Sequence, residues 1–91
     1  MRYGICYGSS DDMAWYNTNT IITSEKLAEY IMNDLAFRWW INEHDFLDGF
    51  PGLKQYYYNK ETNTKYYEFK KTYNFWDRHM IFGIKLIEND N

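Results

Sequence analysis

Ninety-one residues is about the length of one domain, near the size at which a single core still holds a chain together without disulfides or a metal. Length excludes a two-domain reading, and 45% apolar residues, 25% charged residues and a net charge of −3 argue against a disordered tail, which predicts a single folded domain over residues 1–91. Aromatic residues reach 22%, as ten Tyr, six Phe and four Trp; at about 150–250 Å² of buried surface per ring, one small core cannot hide them all, so some mark a contact surface.

The first predicted element is a strand over residues 2–7, where Tyr3, Ile5, Cys6 and Tyr7 surround Gly4. It stops at Gly8-Ser9-Ser10-Asp11-Asp12, a turn by composition. The chain opens on this strand pattern with no apolar segment behind a basic start, which predicts no signal peptide. Cys6 stands alone and forms no internal disulfide, so a secreted disulfide scaffold is excluded and a reducing cytoplasm is the expected location. Residues 13–20 have neither helix nor strand period and read as a surface segment with Trp15 and Tyr16 tucked in. The longest stretch without a charge or proline, residues 13–24, is rich in Asn and Thr, so no membrane span is expected.

One long helix over about residues 24–44 follows, because Leu27, Ala28, Ile31, Met32, Leu35, Ala36, Trp39 and Trp40 repeat at i, i+4. Thr23 is its predicted N-cap, with Ile22 and Leu27 spaced as a hydrophobic staple and Glu25 in the first turn. The polar face carries Lys26, Glu29, Asn33, Asp34 and Arg38, and Asp34 and Arg38 are spaced as a surface pair. Gly49, Pro51 and Gly52 end the helix, after which Phe46, Leu47 and Phe50 are expected to fold back onto the core.

Residues 55–59 and 65–71 then read as an aromatic hairpin around Lys60-Glu61-Thr62-Asn63-Thr64. A last strand over residues 80–88 sets Met80, Phe82, Ile84 and Leu86 against Ile81, Gly83, Lys85 and Ile87. The resulting fold class is α+β, with one helix packed on a mainly antiparallel sheet of about four strands in the order β-α-β-β-β. Pairing the first strand beside the last would centre two apolar strands and leave the polar hairpin at an edge.

Chemistry-bearing patterns are sparse. Cys6 with His44 or His79 would be needed for a thiolate nucleophile and its base, yet no local signature surrounds them, and a free Cys in an apolar strand is usually a packing residue. Glu43, His44, Asp45 and Asp48 hold potential metal ligands, but neighbours on a helix point apart. No catalytic residue, metal or cofactor is therefore expected, and an enzyme using Cys6 or the histidines remains the last of three readings.

Charge divides along the chain: residues 1–53 carry a net −5 and residues 54–91 a net +2. The first reading is a small non-enzymatic binding protein that occupies the surface of a protein partner, itself a nucleic-acid-handling protein in one version. Its anchors would be Phe75, Trp76, Asp77 and Arg78 on the connection before the last strand, with Glu25, Glu29 and Asp34 of the acidic helix for orientation. The second is single-stranded nucleic-acid binding through the hairpin, with bases on Tyr57 and Tyr66 and phosphates on Lys65, Lys70 and Lys71. Usage weighted to Phe, Tyr, Met, Ile, Asn and Lys, with no valine, is that of AT-rich coding, which accounts for part of the aromatic excess. Together with small size and few motifs, this resembles in type a phage or mobile-element accessory protein, including inhibitors of host defence, acting in the host cytoplasm. Monomer and homodimer stand in equal balance, since surplus rings favour closure on a second copy and edge lysines oppose it.

Overall fold

The computed structural model of the protein describes residues 1–9, 12–17, 21–43, 49–50, 52–72 and 77–88. Its elements are β1 (Arg2–Ser9), β2 (Asp12–Trp15), α1 (Glu25–Glu43), β3 (Lys54–Asn59), β4 (Thr64–Thr72) and β5 (Asp77–Glu88). The strands form one sheet in the order β2-β1-β5-β4-β3, antiparallel at every pairing. The α+β class holds, and β1 pairs beside β5 in the middle with β3 at an edge.

The fifth strand, β2, falls where the sequence predicted a surface segment. Trp15 opposes Cys6 and Met13 opposes Gly8 in a tight hairpin with β1. Gly8 has φ 148°, and a Cβ there would run into the Asp12 carbonyl, so the close approach of β2 depends on glycine. Where β2 ends, the Tyr16 amide donates to the Ile5 carbonyl at 2.7 Å and the Tyr3 amide to the Ile22 carbonyl at 2.9 Å, which keeps the β1 backbone paired.

The helix begins one residue later than its predicted cap. Ser24 Oγ accepts the Leu27 amide at 3.1 Å and the Ser24 carbonyl accepts the Ala28 amide, so Ser24, not Thr23, is the N-cap. With Ser24 as the cap, Ile22 stands one position further from the helix than a staple residue; its backbone bridges to Tyr3 and its side chain is buried in the core. Ala28, Met32, Ala36 and Trp40, four apart, form the ridge that meets the sheet, and all are buried. Two alanines in that ridge bring the helix backbone close, while Met32 and Trp40 fill the space between. Leu27, Ile31, Leu35 and Trp39 pack along its flank, half-buried. The outer face is less polar than the spacing implied, because Tyr30, Phe37 and Ile41 are exposed beside Lys26, Asn33 and Arg38.

Strand alternation divides the sheet into two unlike faces. Beneath the helix lie Ile5, Phe69, Met80, Phe82 and Ile84. Phe69 is the hub, with Trp40 edge-on at 5.3 Å, Phe50 at 5.8 Å, Trp39 at 5.4 Å and Phe82 at 6.0 Å. Phe50 thus returns onto the core as predicted, whereas Phe46 and Leu47 lie outside the described residues. Among the described residues no helix is long and apolar enough to cross a membrane.

Truncating the ridge should therefore test the seam directly. Met32→Ala is expected to cost about 2–5 kcal/mol in denaturant unfolding, while Lys26→Ala on the exposed face should stay within about 0.5 kcal/mol.

Candidate binding face on the open side of the sheet

Among the described residues the second face of the sheet carries no helix, and its side chains follow from the register. Cys6 opposes both Gly83 and Trp15, Tyr66 opposes Gly83 and Tyr57, and Thr64 opposes Lys85 and Asn59. The central strands β1 and β5 place Gly4, Cys6 and Gly83 here, so the middle of the face is low. Aromatic side chains rise on both sides, Trp15 from β2 and Tyr66, Tyr57 and Tyr56 from β4 and β3.

Both low points are sterically required. A Cβ on Gly4 would lie 2.5 Å from Ile87 Cδ1 and 3.0 Å from Trp15 Cζ3, so the indole rests over bare backbone. A Cβ on Gly83 would lie 2.6 Å from Cys6 Sγ, 3.2 Å from Tyr66 and 3.3 Å from Thr64. The Lys85 ammonium stands 5.8 Å from the Trp15 ring centre, a cation–π contact inside the trough.

A β-bulge builds the opposite wall. Gln55 opposes Tyr67 and Tyr57 opposes Tyr66, leaving Tyr56 as the extra residue. Strict alternation would send Tyr56 and Tyr57 to opposite faces, but both rings approach Tyr66, Tyr57 stacked at 6.0 Å and 20° and Tyr56 at 6.5 Å. Trp15 is 55% exposed, Tyr57 53% and Tyr56 47%, so the walls offer their ring faces to solvent.

Two hollows lie between these walls. One of about 160 Å³ is lined by Cys6, Met13, Trp15, Thr62, Thr64, Tyr66 and Lys85. Another of about 210 Å³ is lined by Met13, Tyr56, Tyr57, Asn59, Tyr66 and Ile81. Met13 and Tyr66 belong to both, which makes them sections of one trough. A larger hollow of about 330 Å³ beside the helix, lined by Tyr7, Tyr16, Leu35, Arg38, Trp39 and Met80, has its cation already engaged by Asp34.

The residues nominated from sequence are scattered. Phe75 and Trp76 lie outside the described residues; Asp77 and Arg78 begin β5, opposite Thr72 and Lys71. Each acid of the helix set has a local neighbour. Glu25 pairs with Lys65, Asp34 pairs with Arg38, and Glu29 stands beside Tyr67, whose phenol is pushed up by burial and then by that carboxylate. Of the nucleic-acid set, Tyr57 and Tyr66 meet on the open face, but Lys65 is held by Glu25 on the helix side. Lys70 and Lys71 oppose His79 and Arg78 in the ladder. The sequence reading missed Trp15, expected to be tucked in, together with Met13 and Lys85; the Ile81-Gly83-Lys85-Ile87 set was the available signal.

Cys6 is buried against Gly83 and Tyr66, and burial pushes its thiol up from the ordinary range. Cys6 opposes Gly83 while His79 lies four residues along β5, about 13 Å away at strand rise. His44 lies outside the described residues. Among the described residues, no group of three or more His, Cys, Asp or Glu converges as a metal site.

Two measurements probe this packing. Gly83→Ala should destabilise by about 1–3 kcal/mol through overpacking, and much less in a Cys6→Ala background, since the sulfur is the nearest obstacle. The raised thiol also sets a pH dependence. Above about pH 8.5 an unfolded Cys ionises while folded Cys6 keeps its proton, so stability present below that pH falls as pH rises toward the folded pKa. Urea midpoints of wild type should drop between pH 8.5 and 10, and those of Cys6→Ala should drop less.

No family model matches the chain, and neither a curated protein nor a solved structure matches it significantly.

Proposed function

We propose that this protein is a non-enzymatic binding protein that engages a protein partner through the open face of its sheet. The observation that carries the reading is the trough itself, in which exposed Trp15, Tyr56 and Tyr57 flank a floor kept low by Gly4 and Gly83. Large rings held over rigid strands lose little freedom on binding, and such aromatics dominate interface energetics. The aliphatic contribution of half-buried Met13 and exposed Ile87 suits a protein partner, because it adds apolar surface that phosphate and sugar do not use. An accessory protein that acts by occupying another protein's surface, as inhibitors of host factors do, fits this architecture without any catalytic group.

A second reading, single-stranded nucleic acid, draws on one specific observation, the stacked Tyr57–Tyr66 pair. Its cation supply is weaker than the hairpin sequence suggested, since Lys65 is committed to Glu25.

The test takes a partner identified by affinity capture from the source cells and measures its affinity for purified variants. Trp15→Ala and Tyr57→Ala should each weaken binding by about 2 kcal/mol, or thirtyfold, when measured at a temperature at which each variant is fully folded. Phe37→Ala, on the outer helix face, should leave binding intact. Unchanged affinity in both sheet variants, or loss confined to Phe37→Ala, would move the interface to the helix side.

A further inference from the structure

The lysine inside the trough says more about the partner than the rings do. Lys85 lines the hollow with Trp15, Tyr66 and Cys6, and its ammonium faces the indole from 5.8 Å. An ammonium has three donors and no acceptor, and a ring face satisfies at most one side of it. Among the described residues no carboxylate forms an ion pair with Lys85, whereas Lys65 and Arg38 each have one. A cation set among aromatic walls acts at lower local dielectric than one on an open surface, so an anion brought beside it gains more than at the rim.

Resting on the reading above, we infer that Lys85 is an anion subsite within the trough, and that the partner presents a single carboxylate flanked by apolar or aromatic side chains. Charge complementarity selects this occupant. A nucleic-acid strand brings a phosphate at every nucleotide and needs several cations along its track. Among the described residues, the trough's two hollows are lined by one charged side chain, Lys85. One carboxylate with neighbouring apolar side chains matches one ammonium with neighbouring rings and aliphatic groups. The aromatic residues of that segment would lie against Trp15 and Tyr57, while its acid takes the Lys85 donors left unused by the indole.

Selection from a random twelve-residue peptide display library on the full chain tests this, with the Trp15→Ala chain as counter-selection. Enriched peptides should carry Asp or Glu within a few positions of an aromatic or large aliphatic residue. For a synthetic winner, replacing its acid by the amide should weaken binding about tenfold. Lys85→Met should do the same, Lys85→Arg should restore most of the affinity, and the amide peptide should lose nothing further on Lys85→Met. Lys85→Met keeps an unbranched stem against the indole, so its melting temperature should match wild type. Enrichment that depends on Trp15 but shows no acidic preference, or winners indifferent to Lys85→Met, would overturn the anion subsite and leave the binding face standing. No Trp15-dependent enrichment would overturn both. Tight binding of oligo(dT), weakening steeply with salt, would overturn the carboxylate partner in favour of nucleic acid.

Discussion

The ridge of Ala28, Met32, Ala36 and Trp40 seated on Ile5, Phe69, Phe82 and Ile84 is the contact from which the remainder of the molecule follows. It uses the one helix to bury one face of the sheet, and it leaves the chain nothing comparable among the described residues to place on the other. An antiparallel sheet tolerates this because its backbone is satisfied within the ladder and only side chains meet water. The unusual part is what those side chains are. A solvated face is ordinarily polar, yet this one carries Trp15, Met13, Ile87, Tyr57 and Tyr66. Part of the aromatic surplus evident in the composition is gathered around Phe69, and part is exposed, across the sheet and, as Tyr30 and Phe37, on the outer face of the helix.

Much of the fold was legible because periodicity and burial agree. The i, i+4 pattern from Leu27 to Trp40 specifies the helix, and the apolar set Met80, Phe82, Ile84 and Leu86 specifies the strand beneath it. The four-residue strand β2 left no such trace, since at a sheet edge it gains its place from backbone pairing to β1 and from the room at Gly8. The cap was displaced by one residue because Thr23 and Ser24 both offer a hydroxyl, and the backbone of Ile22 pairs with Tyr3 just ahead of them.

The candidate site was harder to read for a specific reason. Two opposed faces of a strand such as β5 are both partly apolar, and sequence alone does not say which one the helix will cover. The trough further depends on side chains from all five strands and on a bulge that breaks alternation at Tyr56. Charges misled in the opposite sense. Glu25 and Lys65 stand out in the sequence as free groups, but the fold pairs them with each other, while Lys85, in an apolar strand, ends beside an indole; the Asp34–Arg38 pair alone follows from helix spacing.

The bulge in β3 also governs how the sheet ends. A regular strand adding to that edge would have to match hydrogen-bond spacing across an extra residue and accept two adjacent tyrosines on one side, so its own alternation would fall out of phase beyond the mismatch. Edge-to-edge polymerisation is thus discouraged at the strand whose exposed rings would otherwise invite it. The molecule can display a sticky surface across its face while remaining a poor template along its border, and aromatic exposure is separated from the hazard of fibre growth.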